Sequence, residues 1–366
     1  MSFSIVSRSD SHITFTVEDI DVSIVNALRR VILAEIPNVA FAIDLHGGES
    51  DVIIHKNLSS LHNEYMMHRL SLVPLCFDED EIDNFDKEKY KFVLNVKNEG
   101  NEMLDVTTAD FTIYDSSGSR MDALAKKVFP ANPITKDHIL LTRLKPNFMD
   151  PKKGDELNIE ARAILSVARK NACWAPVSIA TFYNNVDEVK AQEAFIEFQS
   201  KNSGLSRQEA LIRFDTLERQ RCFKTNEYGE PCSFTFTVES ECRMSPSYIV
   251  RKAFEVLIAK VTALIDKVTE CKETVLPNMV VSLDIPNEDH TIGNLMQALM
   301  FNMYIRDSSR IDYIGYYVPH PLEERMVIRI KNKEGPPNVK PIVQQGCIDI
   351  VAILKDLLSK WVAAGR

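Results

Sequence analysis

No segment of this chain has the spacing of a metal, nucleotide or acyl-transfer site. Its seven cysteines include no Cys-x-x-Cys and its eight histidines no His-Glu-x-x-His, and neither a glycine-rich phosphate loop nor a Gly-x-Ser-x-Gly elbow occurs. Cys222, Cys232 and Cys242 recur every ten residues, which matches no compact zinc loop. No cofactor, no metal and no catalytic centre are therefore expected on this chain. Runs of about eighteen apolar residues are lacking, and Met1-Ser2-Phe3-Ser4 is not a basic-then-apolar leader. The expectation is a soluble intracellular protein without membrane contact, its thiols reduced. Basic charge is also short, with 43 Lys and Arg against 52 Asp and Glu for a net charge of −9, so a broad basic face for a nucleic-acid backbone is excluded. What remains is ordinary globular material: 366 residues, 45% hydrophobic and 26% charged, enough for two or three domains.

What the sequence does contain is a repeat. Val17-Glu18-Asp19-Ile20-Asp21-Val22-Ser23-Ile24-Val25-Asn26-Ala27-Leu28 near the N-terminus has the same build as Asp284-Ile285-Pro286-Asn287-Glu288-Asp289-His290-Thr291-Ile292-Gly293-Asn294-Leu295. In each copy a β-rich run passes through an acidic turn to a hydroxyl residue, Ser23 or Thr291, with Asn three residues later. That hydroxyl suits a helix N-cap. The helices that follow each carry one apolar stripe: Ile24, Leu28, Val31 and Ile32 in the first, Ile292, Leu295, Met296 and Leu299 in the second. A helix cannot bury such a stripe alone, so the two units are expected to pair pseudo-symmetrically within the chain. The copies differ at one point: Arg29 and Arg30 align with Gln297 and Ala298. The arginine doublet is either solvated surface or a grip on a carboxylate or carbonyl partner present on one side only.

Between the copies, Pro37 closes the first repeat helix and a short helix over Asn63 to Leu75 ends in an apolar exit. Six carboxylates between Asp78 and Asp86 suggest a solvated loop. Alternation from Tyr90 to about Leu144 marks a strand-rich module. A strand follows over Glu156 to Leu165, and Ser206 with Glu209 has capping-box spacing inside a polar helical stretch. Two longer helices, Ser247 to Val268 and Val339 to Ala364, close the two halves, each packing on its own sheet or on the other half. The fold class expected is α+β: residues 1–75 with 155–272 as one dimerisation domain, helical insertion at about 187–232, an inserted strand-rich domain at 76–154, and a second dimerisation domain at 276–366.

These segments together resemble the family that holds the bacterial RNA polymerase alpha subunit, archaeal subunits D and L, and the third and eleventh subunits of eukaryotic RNA polymerase II. The carriers in the first half are Asn26-Ala27-Leu28-Arg29-Arg30-Val31-Ile32-Leu33, His68-Arg69-Leu70-Ser71-Leu72-Val73-Pro74-Leu75 and Ala172-Cys173-Trp174-Ala175-Pro176-Val177. In the second half they are Glu288-Asp289-His290-Thr291-Ile292-Gly293-Asn294-Leu295 and Gly315-Tyr316-Tyr317-Val318-Pro319-His320-Pro321. The resemblance implies a non-catalytic assembly platform in which a D-like and an L-like half pair through the two stripes. Its partners would be the largest and second-largest polymerase subunits and small subunits, with DNA reached only through the complex and no homodimer.

On this reading Arg29 and Arg30 grip the second-largest subunit, assisted by Asn26 and Glu35. Arg69 and Trp174 are further docking candidates, Trp174 serving equally as a core anchor. Three departures stand out: Ser71 in place of a glycine, Asn171 and Cys173 in place of His and Lys, and no cysteine cluster in the inserted module. Fusion of the two halves resembles that of large DNA viruses, and no promoter-reading domain is expected beyond the last helix, since the chain stops at Arg366. A free-standing scaffold with the same fold is the alternative.

Overall fold

The computed structural model describes residues 1–43, 51–241, 244–308, 310–332 and 338–365; Cys242 and Arg366 lie outside the described residues. The chain divides into two compact units, one of Met1–Ile32, Ile179–Glu239 and Ile249–Arg366, the other of Leu33–Ser178 and Ser240–Tyr248.

Both copies of the repeat fall in the first unit. The first copy builds a four-stranded sheet in the order Ser2–Arg8, His12–Glu18, Ser233–Ser240, Val177–Asn184, followed by the long helix Pro246–Glu270. The second builds an antiparallel sheet in the order Lys272–Val275, Val280–Pro286, Arg325–Lys331, Tyr313–Tyr317, followed by Val339–Ala364. With Asn26 laid on Asn294, the strand His12–Glu18 falls on Val280–Pro286 and the helix Val22–Ala34 starts where His290–Phe301 starts. The copies differ in what joins their last two strands. The second uses a short turn; the first inserts the helices Glu188–Lys201 and Arg207–Leu217. The capping box is formed there, Ser206 Oγ accepting from the Glu209 N–H and the Glu209 carboxylate accepting from the Ser206 N–H.

Alternation decides which face of each sheet is buried. Ile13, Phe15 and Val17 are inside, as are Val281, Leu283 and Ile285. The last helix packs across onto the first copy: Trp361, 2% exposed, lies 4.7 Å from the Phe15 ring and 5.5 Å from the Phe3 ring. Burying a side chain of that size contributes roughly 3 kcal/mol, and each aromatic pair adds about 0.5–1.5 kcal/mol.

In the second unit the sheet order is Val52–Asn57, Glu156–Ala161, Tyr90–Lys97, Phe111–Asp115, with the pairs Pro37–Phe41 to Ala163–Val167 and Leu104–Thr107 to Leu140–Leu144 beside it. This sheet crosses the boundary drawn at 76–154, because the strands flanking the module pair with its own. Aromatic contacts fill its core, Phe41 on Phe92 and Phe111 on Phe129, both at 5.0 Å. The acidic stretch is not a loop: Glu79–Asp83 forms a short helix. The Glu81 carboxylate accepts from the Asp78 N–H, and Lys127 pairs with both Asp78 and Glu81. Those two carboxylates, Asp78 first, raise the Lys127 ammonium above its ordinary value. Local neutralisation is what lets so many acids sit in one helical turn.

Candidate pairing and docking site

The repeat helices start alike, though not as the hydroxyls suggest. Asp21 and Asp289 hold the capping position, each carboxylate accepting at 2.8 Å from the N–H of the hydroxyl residue two places on, Ser23 or Thr291. A carboxylate accepts from the orphan N–H as a hydroxyl would and in addition places its charge at the positive end of the helix dipole. The turn before each cap carries a left-handed residue at the same place, Asp19 at φ 56° and Asn287 at φ 59°, conformations that Asp and Asn tolerate better than other side chains. Ser23 and Thr291 thus lie in the first helical turn, 2% and 5% exposed.

All eight stripe residues are buried: Ile24, Val31, Ile32, Ile292, Leu295 and Met296 completely, Leu28 and Leu299 nearly so. Polar bonds cross between the two copies at their caps. Arg30 donates from Nε to Thr291 Oγ1 at 2.8 Å and sets Nη2 3.6 Å from the Asp289 carboxylate. On the pseudo-symmetric side Asn302, not an arginine, donates to Asp21 at 3.0 Å. Arg306 donates in turn to Asn302 and holds both oxygens of Glu230 at 2.7 and 3.1 Å while lying 3.8 Å over the Tyr228 ring. The segment after the first copy's helical insertion therefore clasps the second copy. Burial adds one more crossing contact, since Glu288, 4% exposed, lies 3.7 Å from Lys260 and 4.0 Å from Lys267 of the first long helix.

Two family models match this chain, each described as the RNA polymerase Rpb3/Rpb11 dimerisation domain, one over residues 14–261 and the other over 281–360. The chain belongs to that family. Among relatives, it is 29% identical to the DNA-directed RNA polymerase II subunit rpb3 of Dictyostelium discoideum, over 72% of this chain and 93% of that protein. It is 26% identical to the DNA-directed RNA polymerases II, IV and V subunit 3 of Arabidopsis thaliana, over 70% of this chain and 87% of that protein. It is 25% identical to subunit Rpo3 of Pyrococcus horikoshii, over 73% and 97%. The α+β architecture with two Rpb3/Rpb11 units agrees with the sequence-based expectation.

The docking candidates of this Rpb3/Rpb11-type chain are distributed over both units. In the first, Arg29 donates from Nη2 to Asn26 Oδ1 at 2.9 Å on the same helix face, and Arg30 lies on the seam described above. In the second, Glu35 pairs with Arg169 at 3.0 Å, and Arg69 donates to the carbonyls of Leu140 and Leu141 at 2.7 and 3.0 Å. Trp174, 7% exposed, donates from Nε1 to the Ile164 carbonyl at 2.9 Å, a core anchor's arrangement. Ser71 turns its hydroxyl back onto the His68 carbonyl at 2.8 Å, and Asn171 caps the turn that carries Trp174 by accepting from the Cys173 N–H. Burial pushes the Cys173 thiol up to about 11, so that side chain is neutral.

The caps at Asp21 and Asp289 were legible as an aspartate two residues ahead of each hydroxyl, a signal hidden by the hydroxyls' own capping preference. No sequence pattern pointed to Asn302, Arg306 or Glu230. Among the described residues no cluster of His, Cys, Asp and Glu is arranged to hold a metal ion, and no helix is long and apolar enough to cross a membrane.

Proposed function

We propose that this chain is the assembly-platform subunit of a multisubunit DNA-directed RNA polymerase, its two Rpb3/Rpb11 units paired within one polypeptide and its surface docking the two large catalytic subunits. The observation that carries this reading is the pair of buried stripes joined by Arg30 to Thr291 and Asn302 to Asp21. Both apolar stripes are buried within the chain, which favours docking of other subunits over homodimerisation as the role of the exposed polar groups. In the first unit, Asn26, Arg29 and Arg30 are the proposed grip on the second-largest subunit; Arg30 serves both duties, since 40% of its side chain stays exposed. In the second unit Glu35, Arg69 and Trp174 are the weaker candidates, each already held within the unit. Small polymerase subunits complete the proposed partners, with DNA met only through the complex. A single-chain pair is the arrangement proposed for a polymerase of a large DNA virus.

The test is affinity purification of the tagged full chain from its native source, with mass spectrometry of what accompanies it. Two very large subunits in stoichiometric amount, with template-dependent RNA synthesis, support the platform. Recovery of the chain alone refutes it.

A further inference from the structure

The pseudo-symmetry of the first unit says what each cap should receive. At the second copy's cap, a guanidinium from Arg30 satisfies the Thr291 hydroxyl and faces the Asp289 carboxylate. At the first copy's cap the equivalent hydroxyl, Ser23 Oγ, is 98% removed from solvent by its residue's burial yet has no hydrogen-bond partner. The residue that would supply one by symmetry is Ala298, which leaves space: a cleft of about 690 Å³ lies there, lined by Asp19, Asp21, Ser23, Glu230, Ala298 and Asn302 among others. Three of those residues are carboxylates; Glu230 is already held by Arg306 and Asp19 faces the Met1 ammonium at 4.0 Å, which leaves Asp21 as the carboxylate without a cation beside it among the cleft's lining. Burial is the first cause that raises the Cys232 thiol in the same cleft, with Asp19 next. An orphaned buried hydroxyl costs about 1–3 kcal/mol, and native structures leave few such groups unexplained.

We propose that this cleft receives an arginine side chain from another polymerase subunit, posed at Ser23 and Asp21 as Arg30 is posed at Thr291 and Asp289. A guanidinium fits better than an ammonium, because its planar fork can donate to the hydroxyl and face the carboxylate together. Asp21 accepts from the Ser23 N–H on one oxygen and from Asn302 on the other, as Asp289 accepts from the Thr291 N–H while facing Arg30, and each carboxylate oxygen has a second lone pair for the incoming group. The proposal rests on the polymerase reading for the identity of the donor chain, while the site itself follows from the asymmetry between Arg30 and Ala298.

The experiment places a photo-crosslinking residue at Met303, which lines the cleft, in the full chain assembled into polymerase, and sequences the cross-linked peptides. A cross-link to a segment of another subunit with an arginine at the attachment point is expected. The Ala298→Arg variant supplies the guanidinium from within, and cross-link yield should fall about tenfold, the loss of one charge-assisted hydrogen bond. Ser23→Ala, which removes the acceptor without filling the cleft, should lower the yield while leaving the melting temperature of the free chain unchanged or raised. Assembled polymerase with no cross-link from Met303 to another chain, or with one to a segment lacking arginine, overturns this proposal alone. Unchanged yield in both variants overturns it as well. Absence of any co-assembled subunit overturns the polymerase reading and this proposal with it.

Discussion

The bond from Arg30 to Thr291 is the most direct handle on the pairing of the two copies. Arg30→Ala strips the donor from a hydroxyl on a residue that is 5% exposed, and leaving such a group unsatisfied costs about 1–3 kcal/mol. The ion pair to Asp289 contributes less than about 1 kcal/mol, since its separation is 3.6 Å and the arginine is 40% exposed. The sum is near 2 kcal/mol, a fall of roughly 4–8 °C in melting temperature for a unit of this size. Thr291→Val removes the acceptor and leaves no orphan, because the arginine keeps water and Asp289, so it should cost well under about 1 kcal/mol. Once Thr291 is valine, Arg30→Ala has only the exposed ion pair left to lose. The four proteins of this cycle, unfolded in urea, should therefore show a coupling of about 1 kcal/mol or more. Additivity within about 0.3–0.5 kcal/mol would mean that the hydroxyl does not depend on Arg30, and that this arginine belongs to docking alone.

Trp361→Ala should cost about 3–5 kcal/mol and abolish the near-ultraviolet dichroism of the Trp361 contact with Phe15 and Phe3; retention of that signal would place the last helix elsewhere. Gly293→Ala should destabilise by about 1–3 kcal/mol, because its Cβ would stand 2.3 Å from Tyr316 Cδ2 on a ring that cannot bend away. Gly346→Ala meets the flexible end of Met300 instead, at 2.8 Å from its sulfur, and should cost less; denaturant midpoints of the two variants check the order. Hydrogen bonding from Arg306, then Asn226, holds the Glu230 carboxyl below its ordinary value of 4.5. A depressed folded-state value stabilises above pH 4.5 and is lost as pH falls through that lower value. Protection of the amides around Tyr228, taken relative to the intrinsic exchange rate at each pH, should therefore fall on acidification, and Glu230→Gln should abolish that fall; an equal fall in both proteins would refute it.

The repeat, the stripes and the capping box were readable because each is a local pattern with one physical cause: helical spacing of apolar groups, alternation in strands, or a hydroxyl and carboxylate three apart. The acidic turn around Glu81 was misread for a related reason. Its helix depends on Lys127, a residue distant in sequence, and charge density alone favours a loop. Trp174 shows the same limit. Its motif was visible, but whether the indole faces a partner or the core depended on the Ile164 carbonyl, which only the pairing of Pro37–Phe41 with Ala163–Val167 puts in place. The clasp of Glu230, Tyr228 and Arg306 lies further out of reach, because it joins a loop in one copy to a π-helical turn over Asn302–Arg306 in the other, with no periodicity to announce it.

Fusion explains why the two caps can differ. Two separate subunits must build enough interface to associate at cellular concentration, which favours using the strongest contact on both sides. Tethering raises the effective concentration of one half for the other to roughly the millimolar range, so one seam can be closed by Arg30 while the other is left to Asn302 and the clasp. Pairing then tolerates the absence of an arginine at Ala298, and a cleft beside Asp21 and Ser23 lies on one side of a pseudo-symmetric body. An assembly platform needs such a difference. If two partners dock as proposed, equivalent surfaces would let them do so in either order, whereas a filled cap at Thr291 and an open one at Ser23 would give each its own side. On this argument Ala298→Arg restores symmetry at the caps, with a stability gain in the free chain and a loss of order in what it assembles.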